Sequence, residues 1–338
     1  MRNLNDLLGS SMNRFNRALL LVFGAVWCGV ITHASAQEYP VRPITMIVPY
    51  AAGGPADQIA RVIQHEMSQR LGQNVIIELK PGAGGNIGAE QVAKTSKPDG
   101  YTILNTATSL ASNPILQKNF PFDPLVDLIA VAGINVIPMS VAVHPSVPAK
   151  DLREFIAWAK KKDKGHGVTF GSAGPGTTTH LSGVLFADVA GIEITHVPYK
   201  GTAPAQVALL GGQLEAIFDF ASTIAPHIKA GKVRGLAVAG PVRLSSLPDL
   251  PTAIEQGVNY DFAGWFGIFV PRGTPPAIVA KLNDAVNFAL NRSDVKKRIV
   301  DRGEIATPGT PEDFAKFFRG QMELWRKLLA AGRLQHID

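Results

Sequence analysis

A short apolar strand, a glycine-rich turn and a helix follow one another several times along this chain, and this repeat limits the possible folds more than any other feature. One copy is Val168–Leu181, which reads Val-Thr-Phe-Gly-Ser-Ala-Gly-Pro-Gly-Thr-Thr-Thr-His-Leu. Comparable turns follow the strands predicted at Ile44–Val48, Asn74–Leu79 and Tyr101–Asn105. Repeats of strand, turn and helix are typical of parallel sheets with crossover helices. The sequence therefore predicts an α/β protein.

Two long apolar segments divide the repeats into two groups. Leu128–Val143 is too long for one ordinary strand, and we expect it to leave one domain and enter the next. Phe262–Pro271 is the predicted return crossing. Two crossings between two βα domains suggest a hinge protein with its ligand cleft at the carboxyl ends of both sheets. The predicted lobes are residues 37–136 plus 264–338, and residues 137–263.

The rest of the chain continues the pattern. Further strands are predicted at Val168–Phe170, Glu193–Pro198, Leu214–Asp219 and Arg234–Ala239. Further helices are predicted at Asp151–Lys161, Pro275–Leu290, Ser293–Arg302 and Pro311–Leu329. In the last helix the spacing of apolar residues indicates one buried face. Its expected members are Phe314, Phe317, Phe318, Met322, Trp325 and Leu329.

The first 36 residues read as a secretory signal peptide. Three arginines precede the apolar run Ala18–Val30, and the small residues Ala34-Ser35-Ala36 form a cleavage site. Cleavage after Ala36 predicts a periplasmic protein. It also removes Cys28, the only cysteine, so the mature core must be stable without disulfides.

Charge and motif content argue against several classes of protein. The leader carries three arginines and one aspartate, so its removal lowers the formal charge from +6 to +4. The basic residues are scattered rather than interleaved with aromatic ones, which disfavours nucleic acid as a partner. The histidines lack ligand spacing, and neither Gly-x-Gly-x-x-Gly nor a P-loop is present. We therefore expect no metal site and no cofactor.

Five motifs in order carry a resemblance to a known family. They are Pro49-Tyr-Ala-Ala-Gly-Gly-Pro-Ala-Asp57, Lys80-Pro-Gly-Ala-Gly-Gly-Asn-Ile-Gly88, Gly171-Ser-Ala-Gly-Pro-Gly-Thr177, Val197-Pro-Tyr-Lys-Gly-Thr202 and Leu209-Leu-Gly-Gly-Gln213. Together they resemble the Bug receptors, the TctC-like periplasmic solute-binding proteins of tripartite tricarboxylate transporters. The likeness runs from about Ile44 to the C-terminal helix.

The resemblance implies a two-lobed periplasmic-binding-protein fold of the Venus flytrap kind. Such a receptor holds a small carboxylate through backbone amides and bridging waters, and presents it to membrane permease subunits of the TctA/TctB type. A monomer that is not an enzyme is expected. One departure is the first loop, where Tyr50-Ala51-Ala52 replaces the usual Phe-Pro-Pro or Phe-Pro-Ala. The identity of the solute therefore cannot be carried over from a relative.

The corner loops contain no arginine that would clamp a carboxylate, so backbone amides at helix starts are the expected anion site. Ala51–Gly54 and Ser172–Thr177 are expected to face one carboxylate, one loop from each lobe. The later loops Tyr199–Thr202 and Asp219–Ser222 are expected to select the rest of the molecule. The ligand-binding candidates are Tyr50, Ala51, Ala52, Gly53, Gly54, Asp57, Asn86, Ser109, Ser172, Ala173, Gly176, Thr177, Thr178, Tyr199 and Asp219.

Most polar candidates have a second possible role. Thr177, Thr178 and Asn86 are also suited to cap the following helices, and Asp57 is favoured as a residue that complements a helix dipole. Asp219 is suited either to a ligand ammonium group or to a helix cap.

Two other functions stay open as alternatives. One is a periplasmic sensor that acts on a signalling partner. The other, more remote, is a hydrolase that uses Ser172 and His180. The serine lacks a Gly-x-Ser-x-Gly elbow because Phe170 stands at the first glycine position. His180 is more simply explained as a packed histidine.

Overall fold

A computed structural model describes residues 39–162 and 167–337 of the chain. Residues 42–338 form one compact unit, and the fold described below belongs to it. The predicted signal peptide lies outside the described residues. Each helix in the described part of the chain is too short or too polar to cross a bilayer.

The elements follow the predicted alternation of strands and helices. The strands are β1 (Ile44–Val48), β2 (Val75–Leu79), β3 (Thr102–Ala107), β4 (Leu128–Val143), β5 (Val168–Ser172), β6 (Ile194–Pro198), β7 (Ala216–Phe220), β8 (Arg234–Val238), β9 (Ala263–Pro271) and β10 (Ile305–Ala306). The helices are α1 (Pro55–Leu71), α2 (Asn86–Glu90), α3 (Ser109–Leu116), α4 (Pro124–Asp127), α5 (Leu152–Ala159), α6 (Thr178–Ala190), α7 (Thr202–Leu210), α8 (Ala221–Lys229), α9 (Pro276–Asn291), α10 (Ser293–Asp301) and α11 (Pro311–Ala330).

The strands form one mixed sheet in the order β2-β1-β3-β9-β4-β7-β5-β6, and β8 and β10 also pair with β4. The predicted parallel repeats are confirmed: β1 lies parallel to β2 and β3, and β5 lies parallel to β6 and β7. The two crossing strands, β4 and β9, are an antiparallel pair between these two parallel groups.

Strand β4 changes partners part-way along its length. Leu128–Pro138 pairs with β9, whereas Met139–Val143 pairs with β7 and β8. The first part therefore belongs with one parallel group and the second part with the other. This change of partner lies next to the predicted lobe boundary, but the division into two lobes and the hinge stay predictions.

Helix α11 packs on the antiparallel strand pair through its aromatic face. Phe314 and Phe318 contact Phe269 with ring centroids 5.2 and 5.0 Å apart, and Trp265 lies 5.9 Å from both. Of the six expected members of the buried face, Phe314, Phe318, Met322 and Trp325 are buried. The expectation was wrong for Phe317, which is 38% exposed, and Leu329 is only half-buried. Spacings of three and four residues place the four buried residues on one stripe, and Phe317 lies at its edge.

Glycines in β4 and β9 make room for these rings. A Cβ atom at Gly267 would lie 2.0 Å from Cζ of Phe314, and one at Gly133 would lie 3.3 Å from Cδ2 of the same ring. The ring therefore occupies the space of the missing side chains.

We predict that Gly267→Ala lowers the free energy of unfolding by about 1–3 kcal/mol, because the added methyl group overpacks the contact with Phe314. Urea denaturation measures the change. In a Phe314→Ala background the same substitution should cost much less. The control is Gly320→Ala on the exposed side of α11, where a Cβ meets no atom within 4 Å. It should stabilise the helix by about 0.5–1 kcal/mol. Equal losses at Gly267 in both backgrounds would contradict the packing argument.

Candidate functional site

A cavity of about 430 Å³, counted with its open mouth, lies at the carboxyl ends of strands β1, β3, β5 and β7. We call it the inner cavity. Its wall consists of Tyr50, Ala51, Ala52, Gly54, Pro55, Ala56, Ala107, Ala173, Thr177, Thr178, Thr179, Gly201, Thr202, Ala203, Phe220 and Phe266.

Three helices begin in this wall. Gly54–Ala56 starts α1, Thr177–Thr179 starts α6, and Gly201–Ala203 starts α7. None of the three has a hydrogen bond from a capping side chain. The first amides of a helix have no partner within the helix, and together with the helix dipole they attract an anion. The amides at these helix starts are therefore candidate donors for an anion, except at Pro55, the first residue of α1, which has no N–H.

Three helices elsewhere in the fold are capped by side chains. The carboxylates of Asp123 and Asp151 accept hydrogen bonds at the starts of α4 and α5, and Thr310 and Asp313 form a capping box at the start of α11. The helices α2, α3, α8, α9 and α10 have no such cap, so an uncapped start is not confined to the wall.

Asp57 stabilises the loop Ala51–Gly54, which we call the first corner, but it does not line the inner cavity. Its Oδ2 accepts a hydrogen bond from the amide of Gly53 at 2.9 Å, and its Oδ1 lies 2.8 Å from Nε of Arg61. Gln58 donates to the carbonyl of Gly53 at 2.7 Å. Gly53 has φ +74°, a conformation that favours glycine. Both polar groups of Gly53 are thus used within the loop, while Ala51, Ala52 and Gly54 contribute to the wall.

The hydroxyl of Tyr50 is bonded within the protein. The hydroxyl lies 2.6 Å from that of Ser109 and 3.5 Å from that of Thr106. Burial raises the pKa of Tyr50, so the phenol stays protonated at neutral pH. The ring lines the wall, and Ser109, a candidate ligand from the sequence, holds its hydroxyl.

The loop Ser172–Thr177, which we call the second corner, is stabilised by hydrogen bonds of nearby threonine hydroxyl groups. Thr177 donates to the carbonyl of Gly174 at 2.6 Å, and Thr179 accepts from the amide of Ala173 at 2.9 Å. Thr177 precedes α6 as expected, but the capping bond predicted for its side chain is not formed. Thr178 is the first residue of α6 and not its cap. Ala173, Thr177 and Thr178 line the inner cavity, and their role in ligand binding stays a prediction.

Two other predicted ligand residues, Gly176 and Asn86, lie outside the wall of the inner cavity. Gly176 has φ +72°, and a Cβ atom there would lie 2.1 Å from Oδ1 of Asn113. Asn86 bonds to Asn113 at 2.7 Å and to Gln117 at 2.8 Å. The expectation that Asn86 caps a helix was wrong, since α2 begins at Asn86 itself and Gly85 is the cap residue.

Ser172 pairs with a different histidine from the one considered in the sequence. Its hydroxyl lies 2.6 Å from Nε2 of His196, whereas Nδ1 of His180 accepts from the amide of Gly176 at 3.2 Å. The pair of Ser172 and His180 invoked for a hydrolase is therefore not formed. Ser172 is buried and does not line the inner cavity.

The two histidines pack against each other and against Phe170. Their rings lie 4.2 Å apart, and Phe170 stacks on both. Burial lowers the pKa of His180 to about 3, with a further contribution from the charge of His196. Burial also lowers the pKa of His196 to about 4. Both rings are neutral at pH 7, and the packed role expected for His180 agrees with this arrangement.

Asp219 is wholly buried behind Phe220 and is not part of the wall. Its oxygens accept from Nε2 of Gln206 at 2.6 Å and from the amide of Phe220 at 2.7 Å. Burial nevertheless raises its pKa to about 7. Its expected alternative role as a helix cap was wrong, because Phe220 occupies the cap position of α8 and no side chain bonds there.

A second, outer cavity of about 1260 Å³, again counted with its open mouth, adjoins the first one. It shares Tyr50, Ala51, Ala173 and Gly201 with the inner cavity. Tyr199, a predicted ligand residue, lies here together with Lys200, which is exposed. The loop Tyr199–Thr202 therefore contributes to both cavities.

Several wall residues were not among the candidates. Ala56, Ala107, Ala203 and Phe266 carry no polar group, so composition gives no signal for them. Thr202 lies in a quoted motif, and the uncapped start of α7 is the signal that would have identified it. In the described ranges, no group of three histidine, cysteine or acidic residues is arranged to hold a metal.

The α/β fold with its mixed sheet matches the solved structures of periplasmic solute-binding proteins. The model of the TctC family, described as the tripartite tricarboxylate transporter family receptor, matches residues 59–334. The chain belongs to this family.

Relatives and solved structures agree with this assignment. The UPF0065 protein in the TAR-I ttuE-ttuC' intergenic region of Agrobacterium vitis is 36% identical over 95% of this chain and 92% of its own length. Protein BugT of Bordetella pertussis is 34% identical over 91% and 95%. The structure of the periplasmic binding protein BugD has a TM-score of 0.82 at 33% identity and covers 88% of this chain and 100% of its own.

Two similar structures contain a solute. MatC from Rhodopseudomonas palustris, with bound malate, has a TM-score of 0.81 at 34% identity, over 86% of this chain and 99% of its own. A second R. palustris protein, with adipate, has a TM-score of 0.82 at 33% identity, over 87% and 99%.

We predict that the histidine pair makes stability fall in acid. Each ring is neutral when folded but takes up a proton near pH 6.5 when unfolded, so protons stabilise the unfolded state as the pH drops below about 6.5. Urea denaturation at pH 7.5 and 5 should show that His180→Gln/His196→Gln loses less stability than wild type, by about 1 kcal/mol per histidine. Asp219 has the opposite effect, because its raised pKa makes the folded state more stable as the pH falls. This effect is the same in the double variant and in the wild type, so it cancels in the comparison.

The control for this measurement is His65→Gln, which removes an exposed histidine. It should keep the pH dependence of the wild type. Equal acid losses in the double variant and the wild type would contradict the role of the buried pair.

Proposed function

We propose that this protein is a periplasmic receptor that binds a small organic carboxylate in the inner cavity. The observation that carries the proposal is the convergence of three uncapped helix starts, those of α1, α6 and α7, on one cavity. Such a group of amides binds an anion without any basic side chain. The wall contains no charged residue, so the amides and the threonine hydroxyls are the donors for the carboxylate.

The solutes of two similar proteins support a carboxylate. Malate and adipate, bound by the R. palustris proteins, are both carboxylates. We infer that the two predicted lobes, residues 37–136 with 264–338 and residues 137–263, close on the solute about β4 and β9. The receptor then delivers it to permease subunits of the TctA/TctB type as a monomer. It does so without catalysis, since its relatives are binding proteins.

Calorimetric titration of the purified secreted protein tests the proposal. The panel contains monocarboxylates, dicarboxylates and tricarboxylates, with neutral sugars as controls. A ligand at about 100 times its dissociation constant also adds about 2.7 kcal/mol to stability, which a thermal melt detects. Binding of a sugar but of no carboxylate would overturn the proposal.

We predict that Ala203→Phe weakens carboxylate binding by about tenfold or more, because the ring fills space in the wall at the start of α7. The backbone amides of the helix start are unchanged by the substitution. Val207→Phe is the matched control, since Val207 lies one turn further along α7 and is 68% exposed. Titration calorimetry should show loss of affinity in the first variant only. Equal affinities in both variants would place the solute elsewhere.

We predict that Asp57→Ala weakens carboxylate binding by about five- to tenfold, the worth of one hydrogen bond, because the amide of Gly53 loses its acceptor and the first corner loosens. Asp57→Asn keeps an acceptor oxygen and should retain most of the affinity. Calorimetry gives both constants, and thermal melts check that each variant folds. If Asn lowers affinity as much as Ala does, the negative charge of Asp57 and not its hydrogen bond is what matters.

A further inference from the structure

The first corner is anchored by a side chain that lines neither cavity. Nε2 of Gln58, in the first turn of α1, donates a hydrogen bond to the carbonyl of Gly53 at 2.7 Å. The next residue, Gly54, is part of the wall of the inner cavity. Its amide belongs to the same planar peptide group as that carbonyl, and the N–H and C=O bonds of the group point in opposite directions. The bond to Gln58 therefore sets the direction of an amide in the wall.

The loop itself holds this amide only weakly. The amide nitrogen of Gly54 lies 3.4 Å from the carbonyl oxygen of Ala51, which is longer than an ordinary N–H···O bond. Gly53 is exposed, and a Cβ atom there would meet no atom within 4 Å, so packing does not fix its peptide group. The side chains of Asp57 and Gln58, which bond to the amide and the carbonyl of Gly53, therefore hold the first corner in place.

Gln58 is oriented by an arginine from the other end of the chain. Its Oε1 accepts a hydrogen bond from Nη1 of Arg302 at 2.6 Å, across a separation of 244 residues. A guanidinium group has donors but no acceptor, so the amide oxygen of Gln58 must face Arg302 and its NH2 group must face Gly53. Hydrogen bonds from a charged donor are also stronger than neutral ones. Arg302 therefore fixes the orientation in which Gln58 donates to the corner.

Arg302 is held in turn by a buried carboxylate. Its Nε lies 2.7 Å from Oε1 of Glu304, whose side chain is fully buried. Oε2 of Glu304 accepts from Nδ2 of Asn135 in β4 at 2.6 Å. The amides of Gly303 and Glu304 bond back to carbonyls of the last turn of α10 at 2.8 and 3.1 Å, which closes the turn that carries Arg302. A continuous path of hydrogen bonds thus runs from β4 to the first corner.

We propose that Gln58 and Arg302 are positioning residues of this receptor, which hold the first corner in the arrangement that binds the solute carboxylate without touching the solute themselves. The inference rests on the proposed function, and it adds two residues outside both cavities on which the affinity depends. The path through Glu304 and Asn135 also ties the corner to β4, the strand that pairs with both parts of the sheet.

Two substitutions at Gln58 test the inference by titration calorimetry on the purified secreted protein, with malate, adipate and citrate as probes. Gln58→Met keeps the size of the side chain and loses both hydrogen bonds. Gln58→Glu keeps an acceptor for Arg302 but has no donor for Gly53. Both should weaken binding of the probes that wild type binds by about fivefold, the worth of one hydrogen bond. Thermal melts check that each variant folds.

The matched controls are Gln69→Met and Gln69→Glu, at the exposed far end of α1, which should keep the affinity of the wild type. Unchanged affinity in Gln58→Met would overturn the inference. A loss in Gln58→Glu alone would also overturn it, since the added charge and not the missing hydrogen bond would then be the cause.

Arg302 is tested through its dependence on Gln58. Arg302→Met/Glu304→Gln removes the guanidinium group without leaving a buried carboxylate unpaired. It should weaken binding by a similar factor in the wild-type background and have little further effect in Gln58→Met, because its influence passes through that side chain. Arg298→Ala, which removes an exposed arginine of α10, is the control. Equal losses in both backgrounds would contradict the role of Arg302.

Hydrogen exchange without solute separates this inference from the proposed function. Peptides that contain the first corner should exchange faster in Gln58→Met than in wild type, while those of α5 should not change. Unchanged exchange at the corner overturns the inference, and the receptor can still stand. If the corner exchanges faster but wild type binds no carboxylate of the full panel, the anchor of the corner is confirmed and the proposed function falls.

Discussion

The amides that begin α1, α6 and α7 are the constraint on which the site depends. Buried N–H groups must find a partner, and in most helices a side chain or the preceding turn provides one. Here the cap positions are Gly54, Thr177 and Gly201, and none provides a side-chain acceptor. The hydroxyl of Thr177 is used inside its own turn instead. These helix starts are therefore the part of the wall to which an anion would bind.

The antiparallel pair of β4 and β9 links this site to the core. Glycines in β9 leave space for a ring at two positions: a Cβ atom at Gly264 would lie 2.3 Å from Phe220, and one at Gly267 would lie 2.0 Å from Phe314. Phe220 is part of the wall of the inner cavity, while Phe314 anchors α11. Strand β9 thus packs against both the wall residue Phe220 and the helix α11. Small residues in β9 are required for both contacts, so the position of the wall follows from the packing of the central strands.

The sequence predicted the elements well because each carries a local signal. The apolar runs of β1 and β4 and the start of α10 agree with the structure to the residue, and β9 differs by one. The short elements β10 and α4 lack such a signal and were not predicted. Side-chain roles were harder, since they depend on neighbours distant in sequence. Asn86 bonds to Asn113 of α3 and to Gln117, which follows that helix. Ser172 of β5 bonds to His196 of the neighbouring strand β6. No local sequence pattern reveals either contact. Wall residues such as Ala107 and Phe266 give no signal at all, because only the fold places them at a cavity.

Asp219 is a buried carboxylate next in sequence to the wall residue Phe220. Its oxygens accept from Nε2 of Gln206 and from the amide of Phe220, the cap residue of α8. Because burial raises the pKa of Asp219 to about 7, a second negative charge nearby would favour its protonated form still more. An anion in the inner cavity and the proton on Asp219 would therefore favour each other, and the affinity for a carboxylate is linked to the protonation of this buried group.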